Sequence, residues 1–499
     1  MCGIVAEHGC SDPDQLERML ERLAHRGPDD RGAVRVDGSW LGHRRLSIVD
    51  VGGGQQPLST QDESAYLVGN GEVYNHEEVR EGLVDRELLT TSDNEVALHL
   101  IDERGTAGLA EMSGMFAFVM AGRDGRFVAA RDPVGIKPLY WARRDASVRF
   151  ASEMHAFDPE WQEAVEPFPP GCAWTPEDGM VRFASAVPAV PAELVPVTDH
   201  EALLEGTRET LVRAVEQQMM GDVNVGVFLS GGLDSSLVAA IAARIARRRG
   251  RRLQTFAVGT EGSADLVAAR AVAEHLDCEH VEVTYTAAEA LESLPNVVRA
   301  IESFDPGLVR SAVPNYMLAR TTRQHVKVVL TGEGADELFA GYDYMREFSD
   351  PDALHAELER TVRSLHNLNL QRCDRVTMAH AVEARVPFLD RNVIAWALRV
   401  PPAAKQGEPE KRLLRESFEG WLPDALLWRA KAEFGDGSGA RDVLSEAVEA
   451  TVSDAEFSAE RDAVEPALRT KEELAYYRVW REHLQGISAE RTLSRFARA

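Results

Sequence analysis

The spacing of apolar and polar residues divides the chain into two regions with different rhythms. From the N-terminus to about residue 187, short runs rich in β-branched and aromatic residues are separated by Gly, Asn and Asp, which predicts strands joined by turns. We therefore expect a strand-rich α+β domain over residues 1–187. Such runs lie at Ser39–Val51, Ala65–Tyr74, Met115–Ala121 and Phe127–Arg131.

A short segment rich in proline and small residues follows this first region. Ala186–Pro196 reads AVPAVPAELVP, a composition typical of an extended connection. We place a linker at residues 188–200.

Beyond the linker, apolar runs alternate with stretches of helical spacing. Val223–Leu229 is continuously apolar, as expected for a strand buried on both faces of a parallel sheet, and Ser235–Ala246 follows at helical spacing. The pattern predicts a doubly wound α/β domain over residues 201–499, mainly helical after about Asp350. Further strands and helices are predicted at Leu253–Val258, Asp265–Leu276, His280–Val283 and Val326–Leu330.

The net charge narrows the choice of partners. The chain has 499 residues, too many for a single hydrophobic core of ordinary size. Its formal net charge is −26. Nucleic-acid phosphates would be repelled, so we expect no nucleic-acid partner. The Arg-rich run Arg244–Arg252 follows a predicted helix, and we interpret it as a solvated helix end.

The cysteines indicate a reducing compartment. Five are scattered along the chain, with neither a disulfide framework nor Cys-x-x-Cys spacing. No apolar run approaches the roughly 18 residues of a membrane span, and the N-terminus lacks the pattern of a signal peptide. We therefore expect a cytoplasmic protein that has no membrane partner.

Cys2 is the first candidate for chemistry. Removal of Met1 would leave a cysteine with its own α-amino group, whose pKa of about 7.7–8 lies close to the ~8.5 of a thiol. That amine could accept the thiol proton near neutral pH. Taken alone, a cysteine at position two is more often a matter of chance or packing.

Five segments in order change that interpretation. They are Met1–Val5 (MCGIV), His25–Asp29 (HRGPD), Arg45–Asp50 (RLSIVD), Gly69–His76 (GNGEVYNH) and Ser92–Val96 (SDNEV). Together they resemble the glutaminase domain of class II glutamine amidotransferases, whose nucleophile is an N-terminal cysteine. The resemblance spans nearly the whole first domain.

The resemblance implies a role for several of these residues. Asn70 and the backbone N–H of Gly71 would stabilise the oxyanion formed when Cys2 attacks glutamine. Arg45 would hold the α-carboxylate of glutamine, and Asp93 with Glu72 its α-ammonium group. As isolated residues, Arg45 would be a surface ion pair and Asp93 a helix cap. The glutamine-binding set implied by the family is Arg45, Leu46, Ser47, Ile48, Val49, Asn70, Gly71, Glu72 and Asp93.

A second candidate site begins at Ser230–Ser236 (SGGLDSS), between a predicted strand and a predicted helix. Its glycines permit a tight turn, and its hydroxyl and backbone donors at a helix N-terminus can bind an anion. It lacks the lysine of a Walker loop and the spacing of a nicotinamide-binding loop. It resembles instead the pyrophosphate loop of ATP pyrophosphatases, which adenylate a carboxylate.

An acidic loop follows a later strand at Thr331–Glu337 (TGEGADE). Asp234 and Asp336 would then lie at the ends of two adjacent strands and could hold Mg²⁺ against the phosphates of ATP. Either aspartate alone would be interpreted as a helix cap.

The second domain as a whole resembles asparagine synthetase. Matching segments include Val382–Asp390 (VEARVPFLD), Glu410–Arg415 (EKRLLR) and Trp428–Gly437 (WRAKAEFGDG). The resemblance implies that Glu333 and Lys431 are catalytic, in forming the acyl-adenylate and in steadying phosphate charge. The implied ATP-binding residues are Leu229, Ser230, Gly231, Gly232, Asp234, Ser235, Val258, Arg310, Thr331 and Gly332.

The two resemblances together imply glutamine- and ATP-dependent amidation of a carboxylate through an acyl-adenylate. We expect aspartate as the acceptor, asparagine, glutamate, AMP and pyrophosphate as products, and a water-poor passage for ammonia between the domains. Glutamine, ATP and the carboxylate would be the partners, and the family also allows a homodimer.

One departure leaves the acceptor open. Gly307 and Leu308 stand where many asparagine synthetases carry two threonines, and Thr331 stands where serine is common. Another carboxylate of specialised metabolism is therefore an alternative. A β-lactam synthetase-like enzyme would not need Cys2, and a phosphoribosylamine or amino-sugar enzyme would lack SGGLDSS. A catalytically silent regulatory protein would tend to lose the charged residues that are present here.

Overall fold

Two antiparallel sheets and one parallel sheet form the framework of the protein. The structure is a computed structural model and describes residues 2–9, 12–189, 199–430 and 441–496. The strands are β1 (Gly3–His8), β2 (Asp30–Val36), β3 (Ser39–Arg45), β4 (Leu58–Ser59), β5 (Ala65–Val73), β6 (Gly114–Gly122), β7 (Phe127–Arg131), β8 (Tyr140–Arg144), β9 (Ser147–Ala151), β10 (Glu166–Pro167), β11 (Cys172–Thr175), β12 (Gly179–Arg182), β13 (Val225–Phe228), β14 (Gln254–Gly259), β15 (Glu279–Thr284), β16 (Val328–Leu330) and β17 (Glu383–Arg385).

Helices occur throughout and dominate the C-terminal part, as the sequence predicts. The α-helices are α1 (Pro13–Arg22), α2 (His76–Gly82), α3 (Glu95–Arg104), α4 (Pro159–Gln162), α5 (His200–Gln218), α6 (Leu233–Arg248), α7 (Ala264–His275), α8 (Ala287–Ile301), α9 (Pro306–Thr322), α10 (Ala335–Leu338), α11 (Pro351–Ser364), α12 (Asn369–Met378), α13 (Arg391–Arg399), α14 (Pro402–Lys405), α15 (Arg412–Ser417), α16 (Asp424–Leu427), α17 (Arg441–Glu449), α18 (Asp454–Glu460), α19 (Lys471–His483) and α20 (Ala489–Thr492). Short 3-10 helices lie at Gly105–Glu111, Met154–Ala156, Asp343–Glu347, Leu365–Asn367 and Pro387–Leu389.

The first region is a layered α+β sandwich. Its two six-stranded sheets have the orders β10-β8-β9-β1-β3-β2 and β12-β11-β7-β6-β5-β4. Apolar side chains of both sheets, such as Ile4 and Val119, meet in one core, while α3 covers the far face of the second sheet. Leu16 and Leu20 of α1 belong to a further core that continues into the second region. In this order β1 lies between β9 and β3, so Cys2, which directly precedes β1, lies near the centre of the first sheet.

The second region contains a five-stranded parallel sheet of order β15-β14-β13-β16-β17. The chain runs outward from β13 through β14 to β15, and then returns to the other side of β13 with β16 and β17. The loops after β13 and β16 therefore diverge at a topological switch point, where doubly wound sheets commonly bind ligands. The helices α6, α7 and α9 pack against these strands.

Most sequence predictions of the elements agree with the structure to within two residues, but one is wrong. The strand predicted over Ser39–Val51 ends at Arg45. The guanidinium of Arg45 donates to the carbonyl oxygens of Val49, Asp50 and Val51, which folds this apolar segment into a loop. Much of the predicted linker, residues 190–198, lies outside the described residues. No helix in the described part is long and apolar enough to cross a membrane.

A buried ion network joins the two regions. Arg26 contacts Glu153 and Asp374, and Arg375 contacts Glu153 and Glu302 at 3.0 and 3.2 Å. All five side chains are nearly inaccessible to solvent. Buried charges are costly unless every one is paired, so this network resists any shift of one region against the other.

We predict that Glu302→Ala lowers the free energy of unfolding by about 3 kcal/mol or more, because it removes one of the carboxylates that pair with the buried Arg375. It also strips the acceptor from the N–H groups of Met154 and His155. The measurement is urea unfolding followed by fluorescence. The exposed Glu292→Ala is the matched control and should change the free energy by less than about 0.5 kcal/mol. Equal, small effects would contradict a structural role for the network.

Candidate active sites

Cys2 lies at the start of β1 and is buried beside Asn70 of β5. The backbone N–H of Cys2 donates to Oδ1 of Asn70 at 2.9 Å. Among the described residues the Nδ2 group of Asn70 is buried and has no hydrogen-bond partner. An amide N–H on the residue that contacts Cys2, without an acceptor among the described residues, suits an oxyanion that forms only during reaction. Burial raises the pKa of the Cys2 thiol, so the thiol needs a base to become a thiolate.

Gly71 follows Asn70 on β5 in a backbone conformation that only glycine adopts readily. Its φ is +149°, and a Cβ atom there would lie 1.9 Å from the carbonyl oxygen of Met115 on β6. The Gly71 carbonyl accepts from Nδ2 of Asn94 at 3.0 Å. The absence of a side chain at Gly71 therefore lets β5 approach β6 closely at this point.

Glu72 and Asp93 form a buried acidic pair next to these residues. Asp93 accepts from the Val73 N–H at 2.7 Å and from Nδ2 of Asn94 at 3.0 Å. Burial raises the pKa of both carboxyls, and for Glu72 the nearby Glu383 and Asp93 raise it further. A cation placed beside them would favour the ionised forms.

The loop after β3 contains the remaining predicted glutamine-binding residues. The backbone carbonyls of residues 49–51 already occupy the guanidinium of Arg45, which is also largely buried. Leu46, Ile48 and Val49 pack against Val328 of β16, so the loop rests on the second region. The Ser47 N–H donates to Asp29 at 2.8 Å. These contacts place the loop that follows Arg45 between the first region and β16 of the second.

Arg26 is a residue of this site to which the sequence analysis gave no role. Its Nε donates to the Cys2 carbonyl oxygen at 2.9 Å, while its other nitrogens enter the ion network. Its place in the segment HRGPD was the available signal. It positions the cysteine rather than contacting a reacting atom.

The second site is a cavity of about 1310 Å³ at the switch point of the parallel sheet. Single-ligand sites commonly measure about 300–1,000 Å³, so this cavity has room for more than one molecule. The predicted residues that line it are Leu229, Ser230, Gly232, Asp234, Ser235, Val258, Arg310, Thr331, Gly332, Glu333 and Asp336. Gly231 packs against Ala268 and Ala269 instead, and Lys431 lies outside the described residues.

The loop after β13 leads into α6 with its first N–H groups uncapped by any side chain of the described residues. Ser230 and Ser235 are joined by a hydroxyl–hydroxyl hydrogen bond of 3.0 Å, which holds the turn closed. The loop after β16 comes so near that a Cβ on Gly332 would lie 2.9 Å from the Ser235 nitrogen. A helix N-terminus with open N–H groups attracts phosphate.

Lys411 is a further site residue that received no role in the sequence analysis. Its Nζ lies 2.6 Å from Oδ2 of Asp234 and 2.7 Å from Oδ1 of Asp336. The two carboxylates raise the pKa of the lysine against the effect of its burial. The predicted pair of aspartates is thus brought together, and a fixed positive charge accompanies it.

Glu333 and Arg310, which line the cavity, each have a charged partner. Glu333 forms an ion pair with Arg372 of α12, and burial raises the pKa of Glu333 although Arg372 opposes the shift. Arg310 of α9 donates from two nitrogens to Glu472 of α19. The raised pKa makes Glu333 a better proton acceptor than an exposed glutamate.

Together the two sites define an amidotransferase. One site contains a cysteine near the N-terminus, and the other is a crevice of the kind that binds nucleotides. The chain matches the family model described as "Asparagine synthase" over residues 206–349 and 346–495, and that described as "Glutamine amidotransferase domain" over residues 1–168. It is 40% identical to asparagine synthetase (glutamine-hydrolyzing) 3 of Arabidopsis thaliana, over 88% of this chain and 79% of the relative. It is also 40% identical to asparagine synthetase (glutamine-hydrolyzing) of Asparagus officinalis, over 88% of this chain and 78% of the relative.

The chain belongs to the glutamine-hydrolysing asparagine synthetase family. It is therefore a ligase that joins glutamine hydrolysis to ATP-dependent amidation.

We predict that Gly71→Ala lowers glutamine-dependent activity at least about 100-fold. The new methyl group would collide with the Met115 carbonyl and displace the strand next to Asn70. Glutaminase activity is measured as glutamate release. Gly38→Ala is the matched control, since Gly38 also has a positive φ, of +80°, but open space around its Cα. It should lose some stability and no activity. A fully active Gly71→Ala protein would contradict the close approach of β5 to β6.

Proposed function

We propose that this chain makes asparagine from aspartate, with nitrogen from glutamine and with ATP converted to AMP and pyrophosphate. The observation that carries the proposal is the convergence on Lys411 of Asp234 and Asp336, which line a cavity large enough for ATP and an acceptor. The glutaminase domain would comprise residues 1–187, the linker residues 188–200, and the synthetase domain residues 201–499.

In the first half-reaction the Cys2 sulfur attacks the carboxamide carbon of glutamine. Once Met1 is removed, the α-amine of Cys2 takes the thiol proton and passes it to the leaving nitrogen, so that ammonia departs and a thioester remains. Water then releases glutamate and restores the thiol. The unpartnered Nδ2 of Asn70 and the N–H of Gly71 would stabilise the two oxyanions.

The buried acidic pair would bind the α-ammonium group of glutamine. Burial raises the pKa values of Glu72 and Asp93, and an ammonium group placed beside them would lower both and form charge-assisted contacts. Arg45 is assigned the α-carboxylate by family resemblance. Its nitrogens would have to share the substrate with the loop carbonyls they already contact.

In the synthetase half, the residues present fit Mg²⁺. Oxygens of Asp234 and Asp336 lie near one ammonium, so two hard ligands converge beside the open N-terminus of α6. The ion would screen the charge of the pyrophosphate leaving group. Lys411 supplies a fixed positive charge at the same place, and the hydroxyls of Ser230 and Ser235 would bind phosphate oxygens.

Other residues of the cavity would act on the acceptor carboxylate and on ammonia. Glu333 would accept a proton from the ammonia nitrogen as it attacks the acyl-adenylate, a role supported by its raised pKa. Arg310 would lie near the pyrophosphate and Lys431 would steady the adenylation transition state, both by family resemblance. Leu229 and Val258 would contact the nucleotide.

The proposal also includes a cytoplasmic location and a homodimeric assembly. The cysteines Cys2, Cys172, Cys278 and Cys373 are free, which supports a reducing cytoplasm. A homodimer is proposed on family resemblance alone, and light scattering would test it.

We expect purified protein with ATP, Mg²⁺ and glutamine to release pyrophosphate only when aspartate is added, and to form asparagine detectable by mass. Release with another carboxylate but not with aspartate would contradict the proposed acceptor and keep the reaction class. That alternative is motivated by Gly307 and Leu308, which stand where many asparagine synthetases carry threonines. Gly307 lines the cavity, whereas Leu308 is buried in the core.

We further predict that Cys2→Ala loses glutamine-dependent asparagine formation by at least about 1,000-fold while ammonia-dependent formation stays within about twofold. The reason is that only the first half-reaction uses the thiol. Asparagine is quantified with glutamine or ammonium chloride as nitrogen source. Cys172→Ala, at a buried thiol on β11, which β7 and β6 separate from Asn70 on β5, is the matched control and should preserve both activities. Equal loss of both activities in Cys2→Ala would refute this division of labour.

A further inference from the structure

The last described residues of the chain return to the synthetase cavity. Ser494–Phe496, here called the C-terminal strap, line the cavity together with Gly307, Arg310 and Ser311 of α9. Nothing in the sequence analysis assigned this segment a role.

A buried charge cluster anchors the strap at both backbone groups of Phe496. Its N–H donates to Oδ2 of Asp305 at 2.9 Å, and its carbonyl accepts from Arg469. Arg469 also contacts Asp305 and Glu473 at 3.3 and 3.1 Å. Asp305 and Glu473 are fully buried, so the anchor is built into the fold and does not depend on an exposed contact.

The side chain of Phe496 occupies the space beside Gly307. A Cβ atom on Gly307 would lie 2.9 Å from Cδ2 of the Phe496 ring and 3.4 Å from Cε2. A branched side chain at this position would have to displace the ring or the strap. Gly307 and Phe496 are therefore complementary: the ring fills space that a larger residue at position 307 would claim.

The strap lies on the part of the cavity wall formed by α9. In the proposed function the loops at Ser230 and Thr331 serve ATP and Arg310 lies near the pyrophosphate, which leaves the wall of Gly307 and Ser311 for the acceptor. The cavity volume exceeds the need of one ligand. We propose that Phe496 is a specificity-determining residue that forms a wall of the acceptor subsite, in place of a hydroxyl group at position 307. This inference rests on the proposed function.

A rigid aromatic wall recognises its ligand by shape. It limits the length of the carbon chain between the reacting carboxylate and the rest of the acceptor, so the site should favour aspartate over its longer homologue glutamate. A pocket can discriminate one methylene by about 10–200-fold in kcat/KM. Loss of the ring should remove much of that discrimination.

The experiment compares pyrophosphate release with aspartate and with glutamate in wild-type protein and Phe496→Ala. We expect the KM for aspartate to rise about tenfold and the aspartate preference to fall at least fivefold, because an apolar contact is lost. The KM for ATP and the glutaminase rate should stay within about twofold. Phe457→Ala, on α18 and outside the cavity, is the matched control and should change none of these quantities.

A double-mutant cycle tests the complementarity directly. Gly307→Thr should lower kcat/KM for aspartate at least tenfold by displacing the strap, and Gly307→Thr with Phe496→Ala should recover part of that loss because the ring no longer collides. Additive losses, or an unchanged aspartate KM in Phe496→Ala, would overturn the inference while wild-type activity upholds the proposed function. Absence of aspartate-dependent release from wild-type protein would instead refute the proposed acceptor, and with it this inference.

Discussion

The buried pairing of Arg26 and Arg375 with three carboxylates is the constraint on which both sites depend. Arg26 reaches from the first region to Asp374 of α12, and Arg375 of the same helix reaches back to Glu153. Each guanidinium is paired with two carboxylates, because an unpaired buried charge is costly. Because none of these charges can be left unpaired cheaply, the two regions have one well-defined relative placement. Arg26 also holds the Cys2 carbonyl, so the same network fixes the nucleophile.

Two elements of the second region extend this constraint to the synthetase cavity. Helix α12 presents Arg372 to Glu333, only two residues before Asp374 turns to Arg26. Strand β17 also contacts both sites, through the single residue Arg385. The carbonyl of Arg385 accepts from the Thr331 N–H at 3.0 Å, and its guanidinium lies 3.4 Å from Glu72. Both active sites are therefore built on shared backbone, so the placement of one site fixes that of the other.

How far the sequence could predict this arrangement depends on the range of the interactions. The loops at Ser230 and Thr331 were predictable because strand, glycine turn and helix are local patterns, and parallel pairing brings their ends together. The end of β3 at Arg45 was not, because a side chain bonding backbone carbonyls leaves no periodic pattern. The contact of Arg26 with Asp374 spans 348 positions and likewise has no local signature. Lys411 lay inside a noted segment, EKRLLR, but only the fold shows that it meets both aspartates.

The same reasoning changes the meaning of the departure at Gly307 and Leu308. Viewed along the sequence, glycine and leucine in place of two threonines are a loss of polar contacts. Viewed in the structure, Gly307 is one member of a pair whose other member is Phe496, delivered from the opposite end of the synthetase region and pinned by Asp305. The ring of Phe496 fills the space that a side chain at position 307 would occupy, so the substitution is an exchange of one kind of wall for another. A change of recognition at an unchanged reaction centre is what such an exchange produces, since Asp234, Asp336, Glu333 and Lys411 lie on elements other than α9 and the strap.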